Sequence, residues 1–348
     1  MRTVLVSLAL VACSPEGQID PYAGASLDVS TQAPEEVAPE APATSGTPTA
    51  EDESSAPALT DVGVVAVDSD ILTYRGTEWT TGLGRPAMIS GGGVAYMGMF
   101  SNVCEVNTNQ GVTGQEFPVD TNEPETVTDG DDDTVVTTTT NGWQTLDPDT
   151  MQTTHGGHEG VTDARLDGER VVAIYDLPGG CGVEFNDAQQ QLLEGVPCPS
   201  RDGWAVDDVN HAAWLLTSGS LWQVTANSVT ELDIDGDLLA VDGANRTVFT
   251  AFAGDARVSA WRMDGMPRWS VGTAPQVRQL AFLPARNRLA VLQDDGAHSA
   301  VMFYDQLGSH RRALYSNELL TFLTVSRDGR EFSFGRAGMT DFFTDSTP

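Results

Sequence analysis

The sequence predicts an all-β chain: one large domain of repeated short strands closed into a β-propeller. Three observations predict it. Short apolar runs rich in β-branched and aromatic residues recur near every 40 residues. Gly, Asp or Asn turns bound each run. No helical period continues beyond about ten residues. A unit near 40 residues is the length of a four-stranded blade, which buries its faces only against neighbouring blades around a ring.

Within this domain the runs are GVVAV (63–67), GVAYMGM (93–99), TVVTTTT (134–140), RVVAIYD (170–176), AAWLLT (212–217), TVFTAF (247–252), RLAVLQ (288–293) and EFSFG (331–335). A second strand-like run follows a turn, as in CGVEFND, SLWQVTA, RVSAWRMD and SAVMFYD. A third often follows, as in RWSVG and RALYS. The seven runs from residue 93 onward predict seven blades. ILTYRG and EWTTGLG would then add outer strands to the blade begun near 321–335 and close the ring. Counting GVVAV as an inner strand of its own blade gives eight instead. The nearest helical candidate, DAQQQLLEG, sits where a strand is expected. A pair of β-sandwiches fits less well, because sandwiches show no 40-residue self-similarity.

The amino terminus has a different character. Arg2 precedes an apolar run from Thr3 to Ala12, long enough for an export signal and too short to span a bilayer. The run ends in Leu10, Val11, Ala12 and Cys13, which resembles the bacterial lipoprotein box. The resemblance implies a signal peptide at 1–12, cleavage before Cys13 and acylation of its thiol. Two or three acyl chains hold a protein stably at a membrane. Ser14 after the Cys resembles the class sorted to the outer membrane in Gram-negative cells. An ordinary secretory signal that happens to contain a Cys is the competing reading.

From Cys13 to about residue 60 the chain is rich in Pro, Ala, Glu, Ser and Thr, with acidic residues, no basic ones and only Tyr22 as an aromatic. Such a stretch buries too little apolar surface to offset ordering entropy, so a disordered tether is expected at 13–60. Residues 61–348 are then the propeller.

The whole chain of 348 residues carries a formal charge of −32, and all 18 basic residues are Arg. Strong acidity argues against nucleic acid and anionic membrane surfaces as partners. It favours solubility and cationic or basic partners. Cys181 and Cys198 are expected to pair as a disulfide across one hairpin, leaving Cys104 free, in an export compartment that permits disulfides.

Two segments are weighed as metal sites. HGGHEG (155–160) places His155 and His158 three apart with Glu159 beside them, a partial zinc set lacking its remaining ligands. A polar turn is the plainer reading. DIDGD (233–237) alternates Asp233, Asp235 and Asp237 around a Gly, hard oxygen ligands suited to Ca²⁺. No Glu closes the loop, so a β-turn is preferred and no cofactor is expected. TDGDDDT (128–134) reads as an exposed acidic turn. No nucleophile elbow or phosphate loop occurs.

The piece VSAWRMDGMPRWSVG (258–272) resembles a quinoprotein-type propeller repeat, with Ala260, Asp264, Gly265 and Trp269 at the repeating positions. ILTYRGTEWTTG is a looser echo, with Trp79 at the Trp position. This resemblance implies the fold and not the enzyme, because the adjacent Cys pair of quinoprotein dehydrogenases is missing. The function expected from the sequence is therefore a lipid-anchored, non-catalytic propeller that binds a protein or envelope component. The alternatives are a sugar or small-ligand receptor or enzyme using the central channel, and a calcium-stabilised module.

Overall fold

The computed structural model describes residues 126–345 apart from 132–133, 140, 148, 151, 186–188, 274–275, 317–318 and 337–338. Before residue 126 it describes six strands only. Side chains are described within residues 127–334. Cys13, where acylation is expected, the segment 13–60 expected to be a tether, and Trp79 lie outside the described residues, as does the side chain of Cys104.

Two early strands, β1 (Val64–Ala66) and β2 (Leu72–Glu78), pair with strands made much later. Four-stranded antiparallel sheets then follow in chain order. The first holds β3 (Ala87–Ile89), β4 (Val94–Met99), β5 (Asn102–Asn107) and β6 (Gly111–Pro118). The second holds β7 (Thr126–Asp131), β8 (Thr134–Thr139), β9 (Gly142–Asp147) and β10 (Gln152–Gly156). The third holds β11 (Val161–Asp167), β12 (Arg170–Leu177), β13 (Gly180–Phe185) and β14 (Gln189–Glu194). The fourth holds β15 (Trp204–Asp207), β16 (Ala212–Thr217), β17 (Ser220–Thr225) and β18 (Ser228–Leu232). The fifth holds β19 (Leu238–Asp242), β20 (Thr247–Ala251), β21 (Arg257–Arg262) and β22 (Pro267–Gly272).

β23 (Gln276–Leu283), β24 (Arg288–Asp294), β25 (Ser299–Tyr304) and β26 (His310–Ser316) form the sixth sheet, which β1 extends to five strands. The last sheet joins β27 (Phe322–Val325), β28 (Glu331–Arg336) and β29 (Met339–Asp345) to β2. Thus ILTYRG does supply the outer strand of the sheet begun near residue 321. GVVAV does not found a blade of its own: as β1 it hydrogen-bonds to β26 at the outer edge, which removes the count of eight.

This is a β-propeller. The five sheets from β7 to β26 are blades described down to their side chains, against the seven expected from the spacing. The sheet β3–β6 and the sheet β27–β28–β29–β2 are described as backbone, with side chains at β27 and part of β28. The first strands of successive sheets lie against one another, β7 on β11, β11 on β15, β15 on β19 and β19 on β23.

The core lies between blades. One apolar cluster joins Val172, Ile174 and Val183 of the third sheet to Trp204, Ala213 and Leu215 of the fourth. Others join Trp214 to Val248, Phe249 to Leu289, and Val301 to Phe332 across the following interfaces. The strongest apolar runs of the sequence prove to be the second strand of each sheet. Every residue of β16 is buried, as is every residue of β20. A second strand has a paired strand on both edges and a neighbouring blade on both faces, so both of its sides must be apolar. Each fully buried Leu or Val there contributes about 1.5–3 kcal/mol.

Because the strands alternate in direction, hairpins between first and second strands share one rim with hairpins between third and fourth strands. This rim is the turn face. Second-to-third hairpins and the links between sheets lie on the opposite rim, the connection face.

Candidate functional site at the hub and the turn face

The innermost strands share a device. β7, β11 and β23 each carry an irregular step in register, at Val127/Asp129, Val161/Asp163 and Val277/Gln279. A β-bulge re-aims a side chain, and here the residue after the step reaches sideways to the next inner strand. Asp129 accepts the Leu166 N–H at 2.8 Å. Asp163 accepts the Trp204 indole N–H at 2.7 Å. The Gln279 amide does both: its oxygen accepts the Leu323 N–H at 2.8 Å and its nitrogen donates to the Leu323 carbonyl at 2.5 Å. Burial pushes the Asp129 carboxyl above its ordinary pKa, against the Leu166 N–H, the Arg165 charge, the Gly130 N–H and Arg327. The sequence reading placed Asp129 in an exposed turn. It belongs to an inner strand, because TVTDGD pairs with β8 up to Asp131.

Arginines add further ties between the inner strands. Arg165 lies over the Trp204 ring at 4.4 Å and donates to the carbonyls of Trp204 (2.8 Å) and Arg201 (2.6 Å). Arg201, on the link before β15, donates to the carbonyls of Val127 (3.1 Å) and Thr128 (3.2 Å) on β7. Arg327 follows β27 on the turn face. It reaches Asp131 at the end of β7 at 2.8 Å, the Gly168 carbonyl in the β11–β12 turn at 3.0 Å, and Asp208 in the β15–β16 turn at 3.2 Å. One guanidinium therefore bridges four sheets over the middle of the ring. Burial opposes its charge, but Asp208 and Asp131 hold its pKa above the ordinary arginine value.

The turns around this hub are stapled together. Asp242 accepts the Asn245 N–H at 3.0 Å and side-chain bonds from Asn245 (2.8 Å) and Gln306 (2.6 Å). Asn245 and Gln306 both donate to Asn287 Oδ1, at 3.0 and 2.8 Å. Asp207 accepts the Val209 and Asn210 N–H groups. Asp305 binds the N–H groups of Leu307 and Ser309 and the Arg311 guanidinium. Burial works against that carboxylate, yet those donors hold its pKa below the ordinary value.

The two faces differ in their exposed arginines. Asp233, Asp235, Asp237, Asp255 and Asp295 stand exposed on the connection face. The turn face exposes Arg170, Arg246, Arg262, Arg268 and Arg330 beside Asp149, Glu169, Asp208 and Asp264, while Asp207, Asp242 and Asp305 there are buried in turn bonds.

The residues singled out from sequence fall as follows. Cys181 on β13 and Cys198 after β14 form a disulfide, 17 residues apart. His155 is exposed on the outermost strand β10, opposite Gln144. His158 lies in the link to the next sheet. It stacks on Tyr175 at 4.1 Å, with Glu184 at 3.6 Å and Gln190 at 3.3 Å. Asp233, Asp235 and Asp237 do not form a β-turn. They alternate with the buried Ile234 and Gly236 along the extended link from β18 to β19. Ile234 plugs the core there, so the side chains of the three Asp point outward. Asp235 caps its neighbour Gly236 and Asp237 accepts the Ala253 N–H. Among the described residues no three His, Cys, Asp or Glu side chains converge to hold a metal.

The hairpin 258–272 is β21–β22. Ala260 is buried, Asp264 accepts the Met266 N–H in the turn, Gly265 has φ 87°, and Trp269 donates to the Gln306 carbonyl of the next sheet at 2.8 Å. Sequence reading missed Asp163, Arg165, Arg201, Gln279 and Arg327. The repeated V-T-D at 127–129 and 161–163, each just ahead of a strong apolar run, was the signal that could have found the hub.

Fold and hub together define a β-propeller protein whose described inner strands are tied to one another by their own side chains. Among solved structures the chain is similar to one chain in a crystal structure of the mitotic checkpoint complex. The TM-score is 0.57 with 15% identity, over 91% of this chain and 99% of that one. At that identity the likeness shows the fold alone. No family model and no curated protein matches the sequence.

Proposed function

We propose that the protein is exported and held at a membrane surface by acyl chains on Cys13, and that its propeller is a non-catalytic binding module for another protein or envelope component. The binding half is carried by the hub. Arg327 spans from β27 to the turns of three other sheets, and its carboxylate partners are residues of the chain itself. Recognition then falls to the turn and connection faces, where loops sit on a rigid scaffold. The neighbouring fold found in a multi-protein complex supports this reading.

The anchoring half is supported by Leu10–Cys13 after a short apolar run, with Ser14 pointing to the outer membrane in a Gram-negative cell. The two flanking sheets count as blades of the same ring, making seven. β3 lies against β7, and β27 lies against both β23 and β3.

The test is metabolic labelling with an alkyne palmitate analogue in a bacterial host, followed by fractionation. The full chain takes up label and sediments with membranes, whereas Cys13→Ser loses the label and turns soluble. A full chain that carries no label and fractionates as a soluble protein overturns the anchor.

A further inference from the structure

We propose that the turn face across the β15–β18, β19–β22 and β23–β26 sheets docks an acidic protein segment bearing apolar side chains. The inference rests on the binding-module reading and names the face and the chemistry of the partner.

Two independent observations meet there. The first is apolar exposure. Among the large hydrophobic side chains of the described residues, the three most exposed are Leu307 at 79%, Met266 at 59% and Val209 at 58%. They lie on turns of three neighbouring sheets, and all three are on the turn face. Met266 tips the β21–β22 turn, Leu307 the β25–β26 turn and Val209 the β15–β16 turn. Apolar groups gathered on one face of a soluble surface mark an interaction site more often than scattered ones do.

The second is charge. In a chain of net charge −32, this face presents arginine. Arg246 and Arg268 are exposed and form no ion pair among the described residues. Arg268 gives one N–H to the Asn245 carbonyl. The aspartates beside them already have partners within the chain, Asp208 with Arg327 among them. Asp242 and Asp305 are buried in turn bonds, and Asp264 is paired with Arg262 at 3.0 Å. Two exposed guanidiniums without a carboxylate partner in an otherwise acidic body favour an acidic ligand over a basic one.

The surface is also set in advance. Asn245, Asn287, Gln306 and Asp242 tie the fifth and sixth sheets together. Gly308 lies under Trp269, where a Cβ would come within 2.8 Å of the ring. A partner meets turns that are already ordered, which lowers the entropic cost of docking.

The test pans a phage-displayed random peptide library on the immobilised full chain. Enriched sequences are then measured as fluorescein-labelled synthetic peptides by anisotropy. The expected enrichment is Asp and Glu interspersed with Leu, Met or Phe. Affinity should fall about tenfold or more in R246E/R268E and in L307S, and stay unchanged in R257E on the connection face. It should also weaken between about 50 and about 500 mM salt. Melting temperatures of the variants are compared with the parent, and R246Q/R268Q separates loss of charge from reversal.

Acidic peptides that bind R246E/R268E as tightly as the parent overturn this face while leaving the binding-module reading in place. Enrichment of basic peptides overturns the charge argument. Failure of any peptide to enrich overturns the docking surface while leaving the Cys13 anchor standing. Anionic phosphatidylglycerol vesicles serve as a second probe, and their retention with the same arginine dependence overturns the protein segment in favour of a lipid surface.

Discussion

Replacing Asp163 by Ala tests the idea that inner strands are locked side to side by their bulge residues. The carboxylate is 2% exposed and the Trp204 side chain that donates to it is fully buried. Deleting the acceptor strands an indole N–H where no water reaches. A buried hydrogen bond to a charged group contributes about 1.5–3 kcal/mol, and an orphaned donor costs about 1–3 kcal/mol, two descriptions that overlap. The Arg165 guanidinium also loses a neighbouring carboxylate at 3.5 Å. Together these give an expected loss of about 3 kcal/mol. For a domain of this size that lowers Tm by roughly 6–12 °C. Urea unfolding followed by tryptophan fluorescence reads the change as a lower midpoint at unchanged slope. Thr162→Ala is the control. Its hydroxyl donates to Ile174 within the same sheet at 3.2 Å, so it removes a bond without crossing between blades. If Asp163→Ala costs no more than Thr162→Ala, or under about 0.5 kcal/mol, the cross-strand lock is not what holds the hub.

Three other outcomes follow from the structure. Cys181→Ser with Cys198→Ser removes a cross-link of 17 residues, and the chain-entropy cost of about 3 kcal/mol appears as a lower urea midpoint that reduction of the parent reproduces. Asp305→Asn alters the acid limb of stability. A carboxyl held below its ordinary pKa contributes stability above that value and loses it as pH falls through the lowered one. The parent should therefore exceed the variant at neutral pH, and the gap should close below the usual aspartate range; a pH-independent gap contradicts this. Gly308→Ala puts a Cβ against Trp269 at a backbone φ of 78°. It should cost about 1–3 kcal/mol and change tryptophan emission, whereas Gly296→Ala, with φ 89° and open space around it, should leave the emission alone.

The fold class was legible because one strand per blade is buried on every side. AAWLLT and TVFTAF are apolar throughout, so their spacing survives as a signal in a single sequence. The blade edges were harder to read. The outermost strand Ser228–Leu232 is almost wholly exposed and carries little pattern. The closing role of ILTYRG could be inferred from a strand missing at the other end of the chain. GVVAV left the count open between seven and eight, since a short apolar run looks alike as an inner strand or as an edge addition. The disulfide was legible from spacing across a hairpin. The hub was not, because Arg327 meets Asp131, Gly168 and Asp208 through ring closure and not through sequence proximity. The acidic run at 128–134 pointed to solvent by composition, while pairing with β8 carried Asp129 inward. His155 and His158 share a motif but not an environment. One sits on an outer strand and the other stacks on Tyr175.

The pairing of β2 with β29 has a kinetic consequence. It sets Leu72 opposite Asp345 and Glu78 opposite Met339, residues some 270 positions apart. That ladder has to wait until the last strand has been synthesised. Contacts of such range slow folding, because the entropy of bringing the ends together is lost before the pairing returns it. The sheets from β3 to β22 can form from neighbouring residues as the chain emerges, and β1 alone waits for β26 in the sixth. The final sheet cannot, so the rate at which the ring completes is set by an encounter between its two ends.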